Sequence, residues 1–145
     1  MEEDRFFRKG DHISTFTLDG IRCGVIICYD VRFPELTRTM TVKGLDMLFM
    51  VSQWPLVRTA HLDALTKARA IENQMFVVCC NSAGQAPGTV YAGNSSVNDP
   101  WGVTLAHAGE REEILYAGLD PSILEGIRKS INVFADRRPE IYEVN

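Results

Sequence analysis

The chain has 145 residues, 46% of them hydrophobic and 23% charged, with a formal net charge of -4, which suits one ordinary domain with a single core. No apolar stretch approaches the roughly 20 residues that span a bilayer, the N-terminus MEEDRFFRKGD is too charged for a secretory signal, and an acidic balance speaks against a nucleic-acid surface. Cysteines at 23, 28, 79 and 80 match neither metal-ligand pairs nor a disulfide framework, so reduced thiols in the cytoplasm are expected, without metal, cofactor, nucleic-acid or membrane partner.

His12 to Leu18 and Ile21 to Cys28 read as two strands about Asp19-Gly20, a dipeptide that accepts the positive φ angles of a tight hairpin. Pro34 to Lys43 follows as a helix, with proline in the first turn, where its missing N–H costs nothing, and Gly44 as the stop. DMLFMVS, residues 46–52, is an apolar run that suits a strand covered on both faces, and QWPLVRT is a loop. Thr59 to Gln74 reads as a helix with Leu62, Leu65, Ala68 and Ile71 at helical spacing. MFVVCCN, residues 75–81, is the next strand, and SAGQAPGT is a loop. NSSVNDP, GVTLAHAG and EEILYAGLD read as short antiparallel strands, Pro121 to Ser130 as a short helix, and NVFADRRPEIYEVN as an extended arm. This order predicts an α/β layered fold with helices on a sheet that combines parallel strands and a hairpin.

Cys28 stands where a strand gives way to a helix. There the helix dipole and free N–H groups favour a thiolate, and backbone amides can face a developing oxyanion. The competing reading is a buried structural thiol, which suits Cys23, Cys79 and Cys80 within their apolar runs better still. Spacing alone leaves both open for Cys28. A cysteine nucleophile needs a base, but His12, His61 and His107 sit in no telling context. Asp30 is positioned to cap the helix that follows.

GVIICYDVRFPEL resembles the cysteine motif of the carbon–nitrogen hydrolase (nitrilase) superfamily, and RAIENQMFVVCCN, YAGNSSVNDPWG and FADRRPEIY are similar to its later landmarks in the same order. The SQWP loop and RAIENQ helix are most similar to the ω-amidase-like branch, which includes the hydrolase of methionine salvage. The resemblance implies a four-layer αββα sandwich and a Glu-Lys-Cys triad, with Cys28 as the nucleophile. The glutamate base and the lysine have no counterpart, since both lie upstream of the segment matched by EEDRFFRKGD. Lys9 follows RFF and does not take the role; Glu3 matches a second, supporting glutamate. Residues 1–145 are thus expected to be one partial domain, roughly half of the sandwich, with apolar sheet surface left uncovered.

Tyr29, Trp54, Arg58 and Asn81 are the candidate substrate contacts, Arg58 for a substrate carboxylate, with Tyr91 on the same border. Arg69, Glu72 and Asn73 read as an internal hydrogen-bond network. The resemblance implies a homodimer through the C-terminal tail and a small amide as substrate, hydrolysed through a thioester. Lacking glutamate and lysine, the chain alone is expected to be nearly inactive. The rival expectation is a non-catalytic interaction module that keeps the dimer surface.

Overall fold

The computed structural model describes residues 3–142. Strands β1 (Thr15–Leu18) and β2 (Ile21–Ile27) form the expected hairpin. Asp19 and Gly20 both have positive φ, 47° and 82°, as a twist-matched hairpin turn requires. Helix α1 (Pro34–Val42), β3 (Met47–Ser52), α2 (Thr59–Asn73) and β4 (Phe76–Asn81) then alternate. β2, β3 and β4 pair in parallel, and β7 (Ser96–Asn98) and β8 (Thr104–His107) extend the sheet antiparallel beyond β4. The result is one six-stranded sheet in the order β1-β2-β3-β4-β7-β8.

Helices α1 and α2 cover one face. Ile26, Leu48, Met50, Val77 and Cys79 point into it, meeting Met40, Leu62 and Ala70 in the larger core cluster. Gly24 belongs to this face because a Cβ there would lie 2.9 Å from Met40 Sδ; the missing side chain lets α1 settle on β2. On the other face, α3 (Ile123–Ser130) covers only the beginnings of the strands, where Leu124 meets Cys23, Met47 and Phe76. Farther along, the row Ile27, Val51 and Cys80 lies in register across three strands and faces outward, with Ile27 63% exposed. This is one sheet and one helix layer, half of a four-layer sandwich, with apolar surface open where a second sheet would lie.

Several expectations change. β1 begins at Thr15 rather than His12. The run SAGQAPGT, with Val90 after it, forms a two-residue-strand hairpin, β5 (Gln85–Ala86) and β6 (Thr89–Val90), turned at Pro87-Gly88 with Gly88 at φ 79°. EEILYAGLD forms no strand: Ile114 and Tyr116 are exposed and no described strand pairs with the segment, so its alternation has nothing to lie against. Cys80 is exposed rather than buried because it points to the uncovered side. The C-terminal arm folds back on the body, with the Phe134 ring 5.5 Å from the Arg38 guanidinium and 5.8 Å from that of Arg128.

Candidate active site

Parallel strands deliver their C-terminal ends to one edge, the place where α/β folds assemble sites. Here β2 ends at Ile27, opposite Val51, and Ser52 pairs with Asn81. Ser52 and Asn81 therefore form the next row across β3 and β4, one strand spacing of about 4.8 Å apart, and Cys28 is the residue at which the chain leaves β2 beside that row. Cys28 is half-buried and packs against the helix-side core.

The backbone at Cys28 has φ 45°, a left-handed conformation that costs a non-glycine residue on the order of 1 kcal/mol. It breaks the strand and starts the 3-10 turn Cys28–Arg32, whose first N–H groups have no partner within the turn. The shape is that of a nucleophile elbow. Asp30 does not cap α1. Its carboxylate accepts the Ile27 N–H at 3.0 Å, closing the elbow from behind, and α1 starts from Phe33 without a side-chain cap. The helix begins at Pro34, as the sequence implies, and the 3-10 turn Cys28–Arg32 fills the interval before it. From α2, Arg69 Nε donates to the Val31 carbonyl at 2.9 Å, Arg69 Nη1 meets Glu72 Oε1 at 2.6 Å, and Asn73 Nδ2 donates to the same carboxylate oxygen at 3.3 Å. The expected internal network is present and reaches the elbow.

The candidate contacts divide. Tyr29 is 61% exposed beside Cys28, with its ring edge-on to Phe33 at 5.4 Å. Trp54 is 2% exposed and its indole N–H donates to the Arg58 carbonyl at 2.8 Å, so the ring is a floor rather than a wall. The Arg58 side chain is exposed. Asn81 accepts the Trp54 N–H through Oδ1 at 2.7 Å and donates through Nδ2 to the Gly93 carbonyl at 2.7 Å. Its amide is occupied by backbone, and it joins two loops. Tyr91 bridges to Pro55 on the same border. The Glu3 side chain lies outside the described residues.

Sequence reasoning misses two residues. The Arg32 guanidinium lies 4.7 Å from the Trp54 ring centroid and 5.8 Å from that of Tyr29, a cation–π geometry, and no carboxylate pairs with it among the described residues. Ser52 is 8% exposed and its Oγ has no hydrogen-bond partner among them. The register points to Ser52 once the strands are aligned; nothing local marks Arg32. His12 pairs with Asp11 at 2.7 Å, His61 and His107 are exposed, and none of the three hydrogen-bonds Cys28 among the described residues, so no Cys–His dyad forms.

The other thiols differ. Burial, with smaller contributions from neighbouring Cys80 and Cys28, pushes the Cys79 thiol up to about 12, which keeps it neutral and inert. Among the described residues no group of acidic, histidine or cysteine side chains is arranged to hold a metal, and no helix is long and apolar enough to cross a membrane.

The family model for carbon-nitrogen hydrolases matches residues 1–129. The 2-oxoglutaramate amidase of Bacillus subtilis is 44% identical over 142 residues, which cover 98% of this chain and 55% of that protein. Omega-amidase NIT2 of Homo sapiens is 36% identical over 146 residues, covering 99% of this chain and 53% of the relative. Among solved structures, a mutant of the amidase from Nesterenkonia sp. AN1, which carries the acetamide moiety of fluoroacetamide covalently added at its active-site cysteine, superposes with a TM-score of 0.84 at 27% identity, covering 97% of this chain and 51% of that one. The chain spans about half the length of the curated relatives it matches.

Proposed function

The chain belongs to the carbon–nitrogen hydrolase family, and on that premise we propose that residues 1–145 form a single partial domain, the C-terminal part of a cytoplasmic, ω-amidase-like hydrolase with Cys28 as its nucleophile. The observation that carries this reading is the strained backbone of Cys28, half-buried at the C-terminal edge of the parallel strands where β2 gives way to the 3-10 turn Cys28–Arg32. The thiolate sulfur attacks the carbonyl carbon of a small amide, a C–S bond forms, the C–N bond breaks, and ammonia leaves with an added proton. Water then cleaves the thioester and releases a carboxylate. In this reading the N–H groups at the start of the turn receive the oxyanion.

Arg32, stacked on Trp54 and free of carboxylate partners among the described residues, supports a substrate that itself carries a carboxylate, as 2-oxoglutaramate does. Exposed Arg58 is the second candidate cation. The 145 residues hold no match for the family's glutamate base and lysine, so this chain alone turns over very slowly. Exposed Ile141 and Tyr142 on the C-terminal arm support a homodimer contact there.

The test pairs ammonia release from 2-oxoglutaramate with iodoacetamide labelling mapped by mass spectrometry. Cys28 should label faster than exposed Cys80 and far faster than Cys79, while ammonia release stays near the buffer rate. Robust turnover that survives Cys28→Ala, or a Cys28 no more reactive than Cys80, sinks the nucleophile assignment; robust turnover that Cys28→Ala abolishes sinks only the expected inactivity.

A further inference from the structure

We propose that Arg69 is a positioning residue of the Cys28 site, acting through the Val31 carbonyl to hold the elbow in its reactive shape. A cysteine does not adopt φ 45° unless its surroundings enforce it. Three contacts do so. Asp30 accepts the Ile27 N–H at 3.0 Å on the near side, and the Phe33 N–H closes on the Asp30 carbonyl at 3.0 Å on the far side. Arg69 supplies the third, at 2.9 Å to Val31, and it alone comes from another element.

Among the described residues Arg69 is the one charged side chain in the buried set, 4% exposed. Its charge loses solvation there, and an apolar chain of similar volume would fill the space without that loss. What the guanidinium adds is direction. Nη1 is fixed by Glu72 at 2.6 Å, which turns Nε toward Val31; Glu72 is itself anchored, its carbonyl accepting Arg38 Nη2 at 2.5 Å. The hydrogen bond is charge-assisted, so it is shorter and more directional than a neutral one. Because Val31 is fully buried, the same residue is pinned by packing on one side and by Arg69 on the other. The orientation of the N–H groups that follow Cys28 then depends on α2.

This inference rests on Cys28 as the nucleophile, and the experiment separates the two. Iodoacetamide rates of Cys28 and Cys80 are measured across neutral to alkaline pH in the unaltered chain and in R69M, with melting recorded on the same samples. R69M should slow Cys28 by about tenfold, in line with the cost of small displacements at reacting centres. Its rate–pH profile should move to higher pH relative to that of Cys80, whose own rate stays constant. A general loss of stability would move both thiols together, and that outcome overturns the inference. So does a folded R69M whose Cys28 rate and profile match the parent's, while the nucleophile reading stands. If Cys28 in the unaltered chain is no faster than Cys80, both readings fall. Should R69M not fold, E72A carries the test, since it removes the acceptor that fixes Nη1 while leaving the Nε donor in place: a slower Cys28 supports the positioning role, and an unchanged one overturns it.

Discussion

The Trp54 backbone N–H donates to Asn81 Oδ1 at 2.7 Å, and the same side chain donates through Nδ2 to the Gly93 carbonyl at 2.7 Å. One buried amide at the end of β4 thus joins the loop after β3 to the loop before β7. Both loops start from the Ser52–Asn81 end of the sheet, where Cys28 leaves the neighbouring β2. Asn81→Ala would orphan a buried N–H and a buried carbonyl, each costing about 1–3 kcal/mol. Urea denaturation should show a loss of roughly 2–4 kcal/mol. A loss under about 0.5 kcal/mol would mean that the loops hold each other without Asn81.

Gly93 shows the same junction from its backbone side. At φ 60°, a Cβ there would sit 2.4 Å from the Gly109 carbonyl oxygen and 2.8 Å from Glu110 Cα. Both obstacles are main chain and cannot rotate away. Gly93→Ala is expected to cost on the order of 3 kcal/mol, combining the left-handed penalty with the collision. Gly88→Ala is the control: its φ is 79° but nothing lies within 4 Å, so only the conformational penalty of about 1 kcal/mol applies. Equal melting temperatures for the two variants would count against the close approach.

Much of this architecture is legible in the chain because its signals are local. Asp19-Gly20, Pro34 and the alternation of apolar runs with amphipathic stretches place the hairpin and both helices, and the CYDVRFPEL motif singles out Cys28. The misses share a different cause. Cys80 lies in a run as apolar as any, but no sequence window says that α3 stops short of it. EEILYAGLD alternates like a strand, yet a strand exists only where another offers hydrogen bonds. Arg32 looks like a surface charge until Trp54, from another loop, arrives beneath it. Asn81 looks free to meet a ligand because its backbone partners at Trp54 and Gly93 come from elsewhere in the chain.

The strain at Cys28 can be measured directly. In an ordinary strand, glycine is less stable than alanine by roughly 0.5–1 kcal/mol. At φ 45° the order should invert, because alanine carries the left-handed penalty and glycine does not. Cys28→Gly is therefore expected to melt higher than Cys28→Ala, with a difference of about 1 kcal/mol. The usual order would show that the elbow is relaxed, and the need for Arg69 to hold it would weaken with it.

Cys79 makes the chain sensitive to alkali. Its thiol is raised from the ordinary 9.0 to about 12, first by burial and then by neighbouring Cys80 and Cys28. The folded state therefore holds a proton that the unfolded state releases as pH climbs past 9. Where the folded chain binds more protons, stability falls with pH. The contribution is fully present below 9 and is lost progressively as pH approaches 12; the displacement corresponds to about 4 kcal/mol at most. Melting followed through that window should show a decline that Cys79→Ala reduces, even though the alanine variant starts lower because a buried sulfur has gone. Lysines and tyrosines titrate in the same range in both proteins, so the difference between the two curves isolates the thiol. If the curves run parallel from 9 to 12, Cys79 ionises without unfolding the sheet, and its burial beneath α2 is looser than the packing at β4 implies.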